Sequence, residues 1–201
     1  MKDHVVFGLI GAGGIASSQH LPNLSRARGI RLKTVCDLQL DRLRAAQGKY
    51  HVPHVETDYR NLLADPDIDV VLIATREDLH ASLAIEALRA GKHVYVEKPL
   101  AETPESCAQV AEAQSQCRRL LAVGHNRRLA PAYQLARRIF LAHGGARNIH
   151  YRISDAYYIW GRAYGPGRRI IHETCHVFDI LLFLTGSEVA RVYCVASRPD
   201  D

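Results

Sequence analysis

The chain has 201 residues, of which 47% are hydrophobic and 23% charged, and its formal net charge at pH 7 is +5. This composition is typical of a globular protein, and no apolar run reaches the roughly 18 residues that a membrane-spanning helix needs. The length suits one large domain, or one complete domain and part of a second. Because the N-terminal residues lead into a predicted strand without the layout of a secretory signal, we expect a cytoplasmic protein.

Cysteines and arginines narrow the function classes further. The five cysteines are odd in number, scattered and without a Cys-x-x-Cys pair, which argues against a disulfide framework or a cysteine zinc site. Paired arginines recur at separated places and do not form one basic tail with interleaved aromatic residues. Solvated faces and an anionic ligand therefore explain the positive charge better than nucleic-acid binding does.

The first predicted element is a buried parallel strand over His4–Ile10, followed at once by a glycine motif, Gly-Ala-Gly-Gly-Ile-Ala, over residues 11–16. In a Gly-x-Gly-x-x-Ala motif the first glycine permits a tight turn, the second lets the backbone approach a pyrophosphate, and the small third residue lets the next helix pack closely. A helix from about Gly14 to Arg26 would direct its N-terminus at the phosphates. The predicted cofactor contacts in this loop are Gly11, Gly13, Gly14 and Ile15.

A second strand, 31–36, ends at Asp37, which lies 21 residues after the glycine motif. An acidic residue at this place accepts hydrogen bonds from the adenosine ribose hydroxyls. The pattern predicts dinucleotide binding, with a glycine turn in a non-binding α/β domain as the alternative. Asp37 followed by Leu38 favours NAD over NADP because a carboxylate would face the 2′-phosphate, while Arg42 and Arg44 are near enough in sequence to keep NADP open.

Strands and helices continue to alternate up to about residue 125. Predicted helices cover residues 38–50, 59–64, 77–90 and 104–117, and predicted strands cover residues 69–75, 93–96 and 120–123. This alternation is typical of an α/β fold with a doubly wound parallel sheet, the Rossmann architecture. The predicted dinucleotide-binding domain is therefore residues 1–125.

The predicted strand 93–96 runs into Glu97-Lys98-Pro99, where proline removes a hydrogen-bond donor and pushes the preceding residue out of the helical region. Lys98 is thereby predicted at a sharp exit from a parallel strand, at the edge of the sheet where ligands bind. A lysine beside a carboxylate in that place suits acid–base work or anion binding. On these three residues alone, a surface Glu-Lys pair before a turn is the alternative.

A second domain is predicted over residues 126–201, where the pattern changes. It contains helices over residues 131–142 and about 171–185, and strands over residues 147–157 and 188–196, the first of which alternates as in an antiparallel sheet. Two strands and two helices make a small core. The sequence thus predicts a partial α+β domain with a mostly antiparallel open sheet.

Three separated stretches resemble the Gfo/Idh/MocA oxidoreductases, the glucose–fructose oxidoreductase and inositol dehydrogenase superfamily. They are the glycine motif, the turn Glu97-Lys98-Pro99 with Leu-Ala after it, and residues 169–179, which read Arg-Ile-Ile-His-Glu-Thr-Cys-His-Val-Phe-Asp. The resemblance implies a Rossmann domain followed by an α/β domain whose open, mostly antiparallel sheet faces the nicotinamide. It also implies hydride transfer between NAD(P) and a sugar, cyclitol or related polyol.

The resemblance assigns roles to single residues. Lys98 matches the lysine that hydrogen-bonds the reacting hydroxyl, and His176 matches the histidine that serves as general acid/base. Thr75 and His80 would lie along the dinucleotide, and Glu97 would lie near the nicotinamide ribose.

Two departures from the family pattern bear on activity. Many members carry an aspartate four residues before the catalytic histidine, where this chain has His172 with Glu173 beside it. His172 is therefore a catalytic candidate, and Glu173, Arg127 and Tyr157 are candidate substrate contacts, with a surface role for the arginine and core packing for the tyrosine as alternatives. Members also usually continue well past residue 201, and the sheet completed there is commonly the subunit interface, which implies homo-oligomers.

The same helix fits a second pattern, because residues 172–176 read His-Glu-Thr-Cys-His and match the zinc-peptidase motif His-Glu-x-x-His. The two histidines would share a helical face, with Asp179 as a third ligand and Glu173 as base. The dinucleotide fold upstream and the family resemblance disfavour this alternative, so no metal is predicted. Asp179 is predicted instead to be a solvated or capping residue of the helix.

The sequence therefore predicts an NAD(P)-dependent oxidoreductase acting on a hydroxyl carbon of a sugar, cyclitol or related polyol. A histidine suits proton transfer near neutral pH, and the Lys98 ammonium would stabilise the developing alkoxide. The alternative is a non-catalytic NAD(P)-binding regulatory module. The predicted partner is a small molecule, with no nucleic acid and no membrane.

Overall fold

The computed structural model describes residues 3–146, 148–153 and 170–195. Contacts divide the chain into two compact units, Met1–Gly124 and His125–Asp201. Within the described ranges, every helix is too short or too polar to cross a membrane. Tyr157 lies outside the described residues, together with parts of both strands predicted for the second domain.

The first unit contains a six-stranded sheet with the strand order β3-β2-β1-β4-β5-β6. Its strands are β1 Val5–Ile10, β2 Ile30–Cys36, β3 His54–Glu56, β4 Val70–Ile73, β5 His93–Val96 and β6 Leu121–Val123. Every neighbouring pair of strands is parallel, which confirms the predicted doubly wound sheet. The order reverses between β1 and β4, and in such sheets ligands bind outside the carboxyl ends of the strands at this point.

Helices pack on both faces of this sheet. They are α1 Leu21–Leu24, α2 Leu40–Tyr50, α3 Tyr59–Ala64, α4 His80–Arg89 and α5 Pro104–Cys117. Successive strand residues point to opposite faces: Ile10 belongs to the apolar cluster that holds α3, α4 and α5 residues, whereas Leu9 belongs to the cluster that holds α1 and α2 residues. The strands are therefore apolar on both sides, as expected of a buried parallel sheet.

The helix after the glycine motif differs from the prediction of one regular helix over residues 14–26. A π-helical segment, Ala16–His20, precedes α1, and the Leu21 N–H donates to the Ala16 carbonyl five residues back. Pro22 supplies the physical reason, because its ring has no N–H to donate and crowds the carbonyl four residues earlier. The wider turn ends at His20.

The second unit is built from helical elements in its described part. A 3-10 turn, Asn126–Leu129, leads into α6 Pro131–Ala142, and a π-helical turn, Ile170–Thr174, runs directly into α7 Cys175–Thr185. Residues 148–153 and 188–195, which are the whole described part of the two predicted strands, form no strand. A ribbon of two strands is marginally stable by itself, and the antiparallel sheet stays a prediction.

Candidate functional site

The glycine loop lies between the carboxyl ends of β2 and β4, and Gly11 is the residue that lets it do so. Its φ is +95°, and a Cβ placed on it would lie 2.5 Å from the Ala74 carbonyl oxygen. The Gly11 N–H donates to the Cys36 carbonyl at 2.8 Å. Because the obstructing atoms are backbone, a side chain cannot be accommodated by a rotamer change. The tight turn predicted from the motif is therefore confirmed at this position.

The rest of the loop is open. A Cβ at Gly14 would meet nothing within 4 Å, and a Cβ at Gly13 would meet only the Arg42 guanidinium, at 3.8 Å. The Ile15 side chain is exposed. Backbone N–H groups at the start of a helix attract phosphate groups, and the space beside Gly13 and Gly14 leaves room for a dinucleotide pyrophosphate.

Asp37 is bound to the glycine loop itself, which its position in the sequence does not show. Its Oδ2 accepts the Ala12 N–H at 2.8 Å, and its Oδ1 accepts the Gln39 N–H at 2.8 Å. The Arg42 Nη1 lies 3.6 Å from Oδ2, and the Asp37 side chain is only 8% exposed. An ionised carboxylate offers about four acceptor sites, so acceptor capacity remains for ribose hydroxyls while the same group anchors the loop.

His80 occupies a buried position between the exits of β4 and β5. Its Nδ1 lies 2.7 Å from the Pro99 carbonyl oxygen, and its Nε2 lies 3.2 Å from the Thr75 carbonyl oxygen. A neutral imidazole donates through one nitrogen only, and the shorter distance favours Nδ1–H as the donor to Pro99. The hydrogen bond to Pro99 thus holds the lysine turn, while Nε2 lies beside the Thr75 carbonyl at the exit of β4. A direct contact of Thr75 or His80 with the cofactor stays a prediction.

The lysine turn begins directly at the end of β5. The Glu97 N–H still pairs with the Ile73 carbonyl of β4 at 2.9 Å, and the Lys98–Pro99 peptide bond is cis. The Lys98 side chain is half-buried, at the carboxyl edge of the same sheet as the glycine loop. The first unit therefore brings Gly11, Asp37 and Lys98 to one edge of the sheet, as the sequence predicted.

Glu97 is held by a residue that the sequence analysis missed. The His20 Nε2 lies 2.8 Å from Glu97 Oε1, and the Lys98 N–H donates to Oε2 at 3.2 Å. Burial opposes ionisation of Glu97, but the hydrogen bond and charge of His20, together with the Lys98 N–H and the Lys98 charge, outweigh it and lower the pKa of the carboxyl. Since 77 residues separate the partners, no spacing rule could have paired them.

In the second unit, Asp179 is not the solvated or capping residue that the sequence analysis predicted, and that prediction is wrong. Asp179 is 7% exposed, and the Arg128 Nε lies 2.9 and 2.8 Å from its two oxygens. The hydrogen bond to Asp179 raises the pKa of Arg128. The pair joins the 3-10 turn to α7 across 51 positions of sequence, because helix packing brings together residues that are remote along the chain.

His176 is buried beside this pair. Its ring centroid lies 5.9 Å from that of His125, and the His125 Nε2 lies 3.7 Å from Asp179 Oδ1. His172 is also buried, at 3% exposure, in the π-helical turn before α7, and Glu173 next to it is half-buried. His125, His176 and Asp179 thus bring two imidazoles and a carboxylate together in the second unit, a setting that suits proton transfer.

The zinc alternative finds no support in this geometry. Across the described ranges, the ligand atoms of His172, His176 and Asp179 do not come together as a three-ligand group, and the Asp179 carboxylate is occupied by Arg128. Arg127, a candidate substrate contact, donates from Nη1 to the Tyr151 hydroxyl at 2.8 Å. Its role toward a substrate stays a prediction.

We expect Asp179→Ala to lower the free energy of unfolding by about 1 kcal/mol, because the Arg128 guanidinium loses its carboxylate partner but is 46% exposed and can be hydrated instead. Chemical denaturation followed by circular dichroism measures the change. The control is the double variant Arg128→Met/Asp179→Leu, which removes both charges and should lose less than Asp179→Ala alone. Equal stability of wild type and Asp179→Ala would contradict a structural role for the pair.

Comparison with known proteins shows the family to which the chain is similar. A family model described as "Oxidoreductase family, NAD-binding Rossmann fold" matches residues 5–125. The inositol 2-dehydrogenase of Salmonella paratyphi B is 37% identical over 197 residues, which cover 92% of this chain and 56% of that protein. The uncharacterized oxidoreductase YrbE of Bacillus subtilis is 30% identical over 96% of this chain and 57% of its own length.

Among solved structures, the chain is similar to scyllo-inositol dehydrogenase from Lactobacillus casei with bound cofactor NAD(H) and scyllo-inositol. The TM-score is 0.80 at 23% identity, over 91% of this chain and 56% of that one. At this identity the likeness concerns the fold. The chain spans somewhat more than half the length of the relatives that it matches.

Proposed function

The chain belongs to the Gfo/Idh/MocA oxidoreductase family, whose Rossmann fold binds NAD, and from this membership we propose that it transfers a hydride between NAD and a hydroxyl carbon of a cyclitol or sugar. The observation that carries the proposal is the meeting of the glycine loop, the acidic residue Asp37 and Lys98 at one edge of a parallel sheet. The 37% identical inositol 2-dehydrogenase supports a polyol substrate. Turnover by this chain, a cytoplasmic location and homo-oligomerisation are parts of the same proposal.

In the proposed mechanism the chain binds, orients and exchanges protons, and NAD, when bound, takes up or delivers the hydride. Gly11 and Asp37 would hold the adenosine and pyrophosphate half. The Lys98 ammonium would donate a hydrogen bond to the reacting oxygen and stabilise negative charge on it. His176, with His172 nearby in sequence, would accept the hydroxyl proton, a task for which imidazole suits neutral pH.

Titration with NAD and a substrate panel tests the proposal. The purified protein is mixed with NAD, and binding is followed by calorimetry, while the absorbance of the reduced cofactor reports turnover of myo-inositol, scyllo-inositol and several aldoses. We expect binding and turnover of at least one cyclitol. Binding without turnover across the panel would favour the non-catalytic regulatory module, and the absence of binding would refute both alternatives.

The choice between NAD and NADP depends on the pair formed by Asp37 and Arg42. The Arg42 Nη1 lies 3.6 Å from the Asp37 carboxylate and close to Gly13, whereas Arg44 pairs with the exposed Asp41. A cation at this distance offsets part of the repulsion between a carboxylate and a 2′-phosphate. We therefore infer that the site prefers NAD and also accepts NADP, with Arg42 as the residue that allows it.

We expect Arg42→Gln to raise the Kd of NADP by about tenfold and that of NAD by less than about threefold, because one charge-assisted contact to the 2′-phosphate is lost. Calorimetric titration with both cofactors measures the two changes. The matched control is Arg44→Gln, which should alter neither Kd. Equal weakening of NAD and NADP would show that Arg42 acts on a part common to both cofactors and would contradict the inference.

A further inference from the structure

A histidine–glutamate pair connects the helix of the glycine motif to the lysine turn. His20, at the end of the π-helical segment, and Glu97, at the exit of β5, approach to 2.8 Å between Nε2 and Oε1. Each side chain is only 14% exposed. The pair is therefore a largely buried link between the two motifs on which the proposed function rests.

Two further contacts restrict the Glu97 carboxylate on the side away from His20. Its Oε2 accepts the N–H of Lys98, and a Cβ at Gly124 would lie 3.1 Å from the same oxygen. The His20 ring packs edge-on against the Tyr95 ring, with centroids 5.8 Å apart. Because Gly124 leaves just enough room, rotation of the carboxylate is limited, and His20 decides where its outer oxygen points.

The position of the pair within the sheet indicates which half of the cofactor it serves. The glycine loop follows β1 and Asp37 follows β2, so these groups suit the adenosine half and the pyrophosphate. We therefore expect the nicotinamide half to bind on the other side of the point where the strand order reverses, at the carboxyl ends of β4 and β5. Glu97 and Lys98 lie at that end.

We propose that His20 is a positioning residue for the nicotinamide end of the site, which fixes the Glu97 carboxylate beside Lys98 and, through its own protonation, sets the net charge there. The proposal rests on the proposed function. With a neutral imidazole, the Glu97 carboxylate and the Lys98 ammonium sum to zero. With an imidazolium, the formal charges of His20, Glu97 and Lys98 sum to +1.

This charge acts differently on the two redox forms of the cofactor. Oxidised nicotinamide carries a positive charge that reduced nicotinamide lacks, so an imidazolium disfavours NAD⁺ relative to NADH. Imidazoles change charge between about pH 5 and 8. The other titratable groups that face the pair are Lys98 and Tyr95. Tyr95 stays neutral in this range, because burial and, to a smaller extent, the charge of Glu97 raise its pKa. Glu97 stays ionised because its pKa is lowered.

The experiment measures the Kd of NAD⁺ and of NADH between pH 5.5 and pH 8.5 for wild type, His20→Gln and His20→Leu. In wild type we expect the ratio of the two values, NAD⁺ over NADH, to rise about fivefold as the pH falls. His20→Gln keeps a neutral donor near the place of Nε2, so its affinities should match those of wild type at pH 8.5, and its ratio should vary with pH clearly less than that of wild type, because His176 is unchanged in both proteins. His20→Leu removes the donor and should weaken NAD⁺ binding at pH 8.5.

The control variant is His54→Gln, which changes an exposed histidine of β3 and should leave the wild-type pH profile intact. If His20→Leu does not fold, the pH profile of His20→Gln still tests the proposal. A wild-type ratio that does not vary with pH, or a His20→Gln variant that keeps the wild-type profile, would overturn this inference while leaving the proposed function in place. Failure of wild type to bind either form would overturn the proposed function itself, and the inference with it.

Discussion

Lys98→Met should lower the rate of NAD reduction with the accepted polyol by about a thousandfold, while the Kd of NAD changes by less than about threefold. Methionine has a similar length and fills the half-buried space of the lysine, but it can neither donate a hydrogen bond nor stabilise an alkoxide. The backbone of the turn is held independently of the lysine side chain, since His80 faces the Pro99 carbonyl and the Lys98 N–H reaches Glu97. Steady-state kinetics and a calorimetric NAD titration on the same preparation separate the two effects.

A matched lysine is available as the control for this experiment. Lys49, in the last turn of α2, is exposed and lies over the Tyr50 ring, so Lys49→Met removes one positive charge from the protein without touching the sheet edge. Its rate should stay within about twofold of wild type. A Lys98→Met variant that retained more than a tenth of the wild-type rate would exclude Lys98 from the chemical step and would leave it an anion-binding role at most.

Gly11→Ala should lower the free energy of unfolding by about 3 kcal/mol and weaken NAD binding at least tenfold. The new methyl group would meet the Ala74 carbonyl oxygen at 2.5 Å, and the backbone would remain at a φ of +95°, which alanine rarely adopts. Relief requires β1 and β4 to separate or the loop to change its path, and either movement displaces the N–H groups that face the phosphates. Urea denaturation and NAD titration measure the two losses.

The control for Gly11 is Gly48, which lies in the exposed part of α2 with nothing within 4 Å of a Cβ placed on it. Gly48→Ala should stabilise the protein by up to about 1 kcal/mol, since alanine favours the helix and loses less entropy on folding. NAD affinity should not change. If Gly11→Ala instead behaved like Gly48→Ala, the close approach of the loop to β4 would not be required for cofactor binding.

Several features of the first unit could be predicted from the sequence because they depend on neighbours along the chain. The alternation of apolar runs with amphipathic segments reports which residues are buried, and it indicated five of the six strands of the parallel sheet. Gly11, Asp37 and Lys98 were identified because each lies within two residues of the end of a strand, and the carboxyl ends of parallel strands share one edge. The strand β3 was missed because its three residues, His-Val-Glu, include only one apolar side chain, whereas the equally short β6, Leu-Ala-Val, is an apolar run.

The tertiary structure decided which side chains meet. His20 with Glu97, and Arg128 with Asp179, are 77 and 51 residues apart, and in each case the contact depends on how separate elements pack. The same is true of Arg42, which reaches Asp37, and Arg44, which does not. A sequence pattern records the backbone conformation and burial that each short segment prefers, whereas the partners of a side chain depend on strand order and helix packing, which arise only when the whole unit has folded.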